Sequence, residues 1–386
     1  MARVLFWLSA AVIGWVYAGY PVAAAISGRW RPFRLRTDGP GPAVVTVGIA
    51  IHDEAKEIES RVANVLEQDL DAELEIIVAS DGSTDGSDEI VERLGAADPR
   101  VHLLRLSRGG QTASQNALVA EASGDVIVLT DAETRFEPGC LRALVRPFAD
   151  RRVGCTTGVL EWRNRSDSRT TRHEGFYWRY EQAVRSAETR AGWLTAVTGA
   201  LLAVRRDLVE AVPTHSSFDH IVPLQVRAAG KVVLAVPEAR ATDRVVSRLR
   251  NQFHDRSRTA TRGIGANLSM AGRLAPWRHP TAALAIWSHK LLRWGSPWAA
   301  LAGTAAAARL VSKGQNAYAV PLAMSMALPV MAATEFVARR AGRRGTRLGS
   351  AALAATVVNA AFLRGWINLV GRRRITIWHR QDWRAE

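Results

Sequence analysis

Between Val44 and Thr130 the chain alternates between two kinds of stretch, and this alternation limits the fold more than any other feature. Val44 to Ile51, Leu74 to Ala79, Val101 to Leu106 and Val126 to Thr130 are short apolar-rich runs bounded by turn residues, the pattern of strands buried in a parallel sheet. Glu57 to Gln68, Asp85 to Leu94 and Gln111 to Ala122 lie between them with helical spacing. Strands alternating with amphipathic helices predict an α/β fold, a parallel sheet with right-handed crossovers. Ligands of such sheets sit beyond the carboxyl ends of the strands. Asp53, Glu54, Asp81 and Asp131 all fall just past predicted strand ends, so the topology gathers them at one rim.

The run Val126-Ile127-Val128-Leu129-Thr130-Asp131-Ala132-Glu133-Thr134 carries the sharpest chemical signal. Asp131 and Glu133 are two apart, so in an extended chain both side chains point to the same side. Two carboxylates at the mouth of a parallel sheet can hold a hard divalent cation, and that cation can bind a diphosphate. An isolated D-x-E is more often a strand end with solvated acids; here the flanking sequence decides. Further on, Phe176, Tyr177, Tyr180, Val184 and Ala187 give the stretch from Thr171 to Ala191 a helical apolar face. Such a stripe is most often core. Strand-like Val197 to Val204 comes next, then a loop carrying Asp219, a helix-like Ile221 to Ala229, and an Arg-rich stretch from Leu249 to Arg262.

The ends of the chain read differently. The formal net charge of +15 over 386 residues calls for an anionic partner, and the arginines cluster beside apolar stretches. Val4 to Ser27 is almost wholly apolar, near the roughly 20 residues of a membrane helix. Ala23-Ala24-Ala25 offers a signal-peptidase site as the rival. Arg29, Arg31, Arg34 and Arg36 behind it, against Arg3 ahead, retain it as an anchor with the downstream chain in the cytosol. Asp38 to Pro42 is a linker. Beyond Pro276, Thr281 to Trp294 reads as an interfacial helix, with spans near Ser296–Val311 and Ala317–Val337. Leu348 to Leu363 is a further span candidate, but crossing there would place the tail arginines Arg372, Arg373, Arg374, Arg380 and Arg384 outside, against the positive-inside rule. The predicted division is an anchor over residues 1–36, a cytosolic domain over 43–268, and an interfacial and membrane region with a basic tail over 277–386. The two cysteines, Cys140 and Cys155, form neither a disulfide framework nor a zinc motif.

With these pieces in order the chain resembles the membrane-anchored bacterial family-2 glycosyltransferases related to cellulose, hyaluronan and poly-N-acetylglucosamine synthases. The motifs are Ile49-Ala50-Ile51-His52-Asp53-Glu54, Ser80-Asp81-Gly82-Ser83-Thr84-Asp85-Gly86, Thr130 to Thr134, Glu174 to Glu181, Thr198-Gly199-Ala200, Val204-Arg205-Arg206, and Trp287 to Lys290 with Arg293-Trp294. The resemblance implies a GT-A domain, a Rossmann-like mixed sheet, between N- and C-terminal transmembrane helices. It implies an inverting transfer from a nucleotide sugar, UDP-linked, to a lipid or growing glycan acceptor at the cytosolic face of the cell membrane. Asp53, Glu54 and Asp81 then line the nucleoside pocket, with Asn116, Asp131, Arg256 and Arg258 as further donor contacts. Asp131 and Glu133 grip Mg²⁺ or Mn²⁺. Phe218-Asp219-His220-Ile221-Val222-Pro223-Leu224 is similar to the family's D-D-x-x-x-P-L and makes Asp219 the base. Between Asp207 and Asp243 the only other acids are Glu210 and Glu238, in positions expected of a helix and a strand end. A tight turn is the bland reading of Asp81-Gly82, and a helix cap that of Asp85.

Three departures bear on mechanism. Phe218 replaces the first acid of the D-D pair, and Gln111 stands where the family has a lysine after glycine. Asp255-Arg256-Ser257-Arg258-Thr259 lacks the Gln and Trp of the processive Q-R-x-R-W motif. The last points to addition of one or a few sugars rather than long-chain synthesis. Gln111 and Phe218 also support a second class, a catalytically inert scaffold among polysaccharide-assembly subunits; Asp81, Asp131, Glu133 and Asp219 oppose it. A nucleic-acid binder fits the charge alone, since no zinc finger, helix-turn-helix or aromatic-basic motif is present. The P-loop signature is absent.

Overall fold

A computed structural model describes residues 1–162, 169–243, 249–343 and 345–371. The chain opens with one continuous helix, Ala2–Trp30, in which α1 (Ala2–Gly14) and α2 (Tyr20–Trp30) are joined by a π turn at Trp15–Gly19. The strand–helix alternation comes next: β1 (Val44–Ile51), α3 (Ile58–Leu66), β2 (Glu73–Asp81), α4 (Ser87–Ala97), β3 (Val101–Leu106), α5 (Gln111–Glu121) and β4 (Val126–Thr130). These four strands pair in parallel in the order β3-β2-β1-β4. Their carboxyl ends, and the acids beyond them, therefore share one edge. At Gly48 the close approach of α5 matters: a Cβ there would lie 2.4 Å from Leu118 Cδ2.

After β4 the sheet turns mixed. β5 (Arg135–Phe136), α6 (Cys140–Val145), β6 (Val153–Trp162), α7 (Arg169–Ala191), β7 (Leu202–Arg205), α8 (Phe218–Ala228) and β8 (Val232–Asp243) complete an eight-stranded sheet in the order β3-β2-β1-β4-β7-β6-β8-β5. β7 is antiparallel to both β4 and β6. One face buries Val47, Ile49, Val62, Val128 and Leu141. The other buries Ile77, Leu118, Ile127, Leu129, Phe218 and Val222 and continues without a break into Ile264, Trp294 and Phe362 of the later helices. Phe218, which replaces an acid in the motif, is 2% exposed and has become a core residue. Asp219 lies in the first turn of α8 and not in the expected loop, where the helix N-terminus favours an acid. Asp85 is not the cap residue of α4, since Gly86 is; its carboxylate accepts from the Ser87 and Ala55 amides instead.

The remaining helices are α9 (Leu249–Met270), α10 (Pro280–Ala285), α11 (Leu292–Val311), α12 (Ala319–Arg340) and α13 (Arg347–Val370). A second π turn, Ile286–Leu291, makes α10 and α11 one helical run, so the expected interfacial helix and the span after it are continuous. Among the described residues three helices are long and apolar enough to cross a membrane: Ala2–Trp30, Asn316–Arg340 and Arg347–Val370. The predicted span Ser296–Val311 is not among them, being alanine-rich and interrupted by Arg309. It packs instead on α1, with Gly303 against Ser9. At the far end of this pair Tyr318 meets Phe6 edge-on at 4.9 Å, and Arg3 donates to Gln315. The second half of α13 lies on α9. There Asn368 donates to Thr261 Oγ1 at 3.2 Å, Trp366 donates to the Trp294 carbonyl, and Gly365 faces Ala260. The side chains of Phe176 and Tyr177 and the tail arginines from Arg372 onward lie outside the described residues.

Where the first helix meets the domain, a buried polar cluster replaces apolar packing. Tyr20 Oη donates to Glu188 at 2.5 Å, and His289, in the second π turn, lies 2.7 Å from Glu188 and 3.3 Å from Glu181. Arg293 donates to Glu181 at 2.6 Å. Trp15 of the first π turn donates to Ser288 of the second, a pairing that fits the usual placement of π turns where geometry must be adjusted. Burial alone would lower the His289 pKa, but Glu188 and Glu181 raise it above its ordinary 6.5. A raised histidine contributes stability that is complete below the unfolded pKa and is lost as pH rises through the folded one. Thermal unfolding in detergent is therefore expected to show the wild type losing stability from about neutral pH upward relative to His289→Gln. Parallel pH profiles for the two proteins would refute the assignment.

Candidate active site

A cavity of about 210 Å³ opens at the carboxyl edge of the sheet. Among its lining residues are Gln111, Asp131, Gly199, Asp219, Arg258 and Arg262. Asp131 arrives at the end of β4, whose five residues are all buried and so fix its position. Gln111, in the first turn of α5, donates from Nε2 to Asp131 Oδ1 at 3.1 Å. A neutral amide thus occupies the place of the expected cation. Burial first, then the charges of Glu133, Asp243 and Asp219, push the Asp131 pKa up to about 8, with Arg61 opposing.

Asp219 sits across the cavity and is held in the opposite state. Burial would raise its pKa, but the His220 imidazole beside it, hydrogen bonds from His220 and Ser217, and the Arg262 charge hold it well below the usual carboxylate range. His220 Nδ1 lies 3.1 Å from Asp219 Oδ1 and 2.7 Å from Ser217 Oγ. The ring fits because α9 presents a glycine: a Cβ at Gly263 would lie 2.8 Å from His220 and 2.4 Å from Trp294. Gly199 lies in front of the carboxylate, its Cβ position in ordinary contact at 3.5 Å from Asp219 Cβ. Two acids with pKa values driven apart in one cavity are the pattern of a site with divided roles.

The other predicted residues fall into separate groups. Asp53, Glu54 and Asp81 gather around the turn beyond β2. Asp53 takes a left-handed backbone (φ 55°) and accepts from the Thr84 amide at 2.8 Å. Glu54 is 5% exposed and its amide donates to Ser87 Oγ. Asp81 accepts from the Gly109 and Gly110 amides and from Arg108 Nη1 at 2.6 Å. None of the three lines the cavity, and neither does Glu133. Asn116 is not brought to it: its amide is spent on Val212, donating to the carbonyl at 2.8 Å and accepting from the N–H at 2.9 Å. Arg256 and Arg258 are two apart on a helix and so cannot share a face. Arg258 lines the cavity, while Arg256 is exposed.

Three residues carry no role in the sequence reading. Arg262 joins Arg258 because it is one turn further along α9, a spacing visible once that stretch is read as helix. His220 offers no signal beyond its place after Asp219. Asp243, 8% exposed at the end of β8, adds its charge to Asp131 from a strand end more than a hundred residues on.

The glycosyl transferase family 2 profile matches residues 46–212. An N-acetylglucosaminyltransferase of Sinorhizobium fredii is 28% identical over 171 residues, 44% of this chain and 41% of that protein. A hyaluronan synthase of Pasteurella multocida is 29% identical over 113 residues, 29% of this chain and 12% of that protein. The chain thus spans less than half the length of these curated relatives. Among solved structures, a mannosyltransferase from Pyrobaculum calidifontis in complex with GDP-Man and Mn²⁺ superposes with a TM-score of 0.68 at 22% identity, covering 96% of this chain and 99% of that one. At that identity the likeness is one of fold. The chain carries a glycosyl transferase family 2 domain with the GT-A fold, flanked by apolar helices at both ends.

Proposed function

We propose that the protein is an inverting glycosyltransferase that moves one or a few sugars from a nucleotide sugar, UDP-linked, to a lipid-linked or growing glycan acceptor at the cytosolic membrane face. The observation that carries this reading is the cavity onto which Asp131, Asp219, Arg258 and Arg262 all open. Asp219, kept ionised, accepts the proton of the acceptor hydroxyl as its oxygen attacks the anomeric carbon. The bond from that carbon to the diphosphate breaks on the opposite face, and the electron pair leaves with the diphosphate. Arg258 and Arg262 meet that charge. Asp131 and Glu133 supply the hard oxygen donors that suit Mg²⁺ or Mn²⁺. Such a cation, when bound, stabilises the leaving group. Among the described residues no group of three or more His, Cys, Asp or Glu side chains is arranged to hold a metal alone. Diphosphate oxygens would complete the shell.

The packing supports a membrane arrangement. One end of Ala2–Trp30 runs into the domain, where the Phe33 amide donates to the Arg190 carbonyl, and the other end meets Gln315 and Tyr318. On this reading α12 returns from the far side toward the domain, and α13 lies along the interface with its second half on α9. Arg339, Arg340, Arg343 and Arg347 then all face the cytosol, as the positive-inside rule requires.

The test is nucleotide release by detergent-purified protein across UDP- and GDP-sugars with Mn²⁺. Turnover of one donor fixes the class, and nucleotide binding without turnover points to a missing acceptor. Absence of both favours an inert scaffold of an assembly complex. In the same assay Asp131→Asn is expected to weaken Mn²⁺-dependent nucleotide binding by on the order of 100-fold, since even outer-sphere changes cost about 10–100-fold. Unchanged binding without added metal would sink the metal role.

A further inference from the structure

Helix α5 carries Gln111, Thr112, Gln115 and Asn116 on the side that faces the cavity and the loop before α8. Three of these side chains are committed. Gln111 donates to Asp131, Thr112 Oγ1 donates to the Ser216 carbonyl at 2.8 Å, and the Asn116 amide is taken up by Val212. Gln115 is not. It is 8% exposed, it lines the cavity, and its carboxamide has no hydrogen-bond partner among the described residues. Unlike the unpartnered Ser216 hydroxyl, its polar atoms are not sealed inside the protein, so what they reach is the cavity.

A carboxamide carries two donors and a carbonyl acceptor, and a nearly buried one without a partner is costly. It cannot easily be turned away. Thr112 and Asn116 tie one side of α5 to the loop 212–216, and on the sheet side Leu118 packs on Gly48. Gln111 and Gln115 are one turn apart and share a face, with a rise of about 6 Å between them. Gln111 sits against Asp131, where the cation and diphosphate are placed above. α5 runs inward from the carboxyl edge, so Gln115 lies one turn deeper, a step comparable to the breadth of a pyranose ring. Gly199 and Ala200 line the same cavity with the smallest side chains, which leaves such a ring room.

We propose that Gln115 reads the donor's sugar: its carboxamide hydrogen-bonds a hydroxyl or acetamido substituent of the transferred ring and so helps to choose the donor. This rests on the glycosyltransferase reading given above. Both substituents donate and accept, as the carboxamide does, so either can satisfy it. The charged groups of the cavity have other tasks there: Asp131 toward the cation, Arg258 and Arg262 toward the diphosphate, Asp219 toward the acceptor's proton. Selectivity follows from the burial. A donor without the partner group leaves the carboxamide unpaired, a penalty that an apolar residue at this position would not impose.

The test is calorimetric titration of the full-length protein in detergent with Mn²⁺. The ligands are UDP, GDP, UDP-glucose, UDP-galactose, UDP-N-acetylglucosamine and GDP-mannose. The readout is the affinity of the best-bound nucleotide sugar relative to that of its free nucleotide. Gln115→Met, unbranched and of similar length, is expected to lower this ratio by roughly 10-fold and to leave the affinity for free nucleotide unchanged. Should the Met variant not fold, Gln115→Leu carries the same expectation. Thr112→Val removes a neighbouring tie of the same helix and is expected to keep the wild-type ratio. An unchanged ratio in the Gln115 variants, or an equal fall in Thr112→Val, would overturn the proposal. Wild-type protein that binds none of these nucleotide sugars would overturn the glycosyltransferase reading first, and this inference with it.

Discussion

Asp219→Asn is expected to lower turnover by about 10²–10⁴-fold, the range that general-base catalysis contributes, while nucleotide affinity changes little. The amide keeps the size of the carboxylate and its contacts with His220 and Ser217 but cannot accept the acceptor's proton. On the proposed assignment the base acts only in the chemical step, so the loss falls on kcat and not on donor binding. His220 and Arg262 keep Asp219 ionised, so no prior deprotonation limits the reaction near neutral pH. Calorimetric nucleotide titration beside a single-turnover assay separates the two effects. A variant that loses nucleotide binding in parallel with turnover would move the base elsewhere.

The second large effect is on stability. Glu181, 6% exposed, accepts from Arg293 at 2.6 Å and lies 3.3 Å from His289 and 3.5 Å from Arg185. Burial would raise its pKa, but Arg293 and His289 hold it well below 4.5. Its contribution is thus present above that ordinary value and is lost only as pH falls through the depressed one. Glu181→Ala removes the carboxylate on which this cluster of positive groups converges. Breaking a buried pair from one side costs about 3–5 kcal/mol, expected as a fall in melting temperature of roughly 10 °C. Scanning fluorimetry in detergent reads it directly. A fall of only about one degree would mean that water already reaches the cluster.

How far the sequence reveals this molecule depends on the range of each interaction. The parallel core is legible because β1 and β4 are continuous apolar runs with turn residues at both ends, and the acids at the rim follow from strand direction alone. Asp219 is legible through its flanking residues, although the sequence suggests a loop where a helix begins. Asn116 shows the opposite case: a polar residue on a helix beside the site, whose real task is to clamp Val212 ninety-six positions away. Arg61 reads as a solvated residue by type. Yet it falls in the buried stripe of Ile58, Val62 and Val65, a position where an arginine must have a reason. Glu181 and His289 are 108 residues apart, and no local pattern joins them.

That separation also sets an order of events during synthesis. Tyr20 leaves the ribosome 168 residues before Glu188, the acid its hydroxyl needs, and at about 5–20 residues per second this is a wait of on the order of ten seconds. His289 arrives later still. The first helix, long and apolar enough to cross a membrane, is therefore complete before the final partner of its Tyr20 hydroxyl exists. The domain therefore folds against a helix that has already been made. A domain synthesised without that helix would keep its cavity residues but leave Glu188 with His289 alone, short of the Tyr20 hydroxyl.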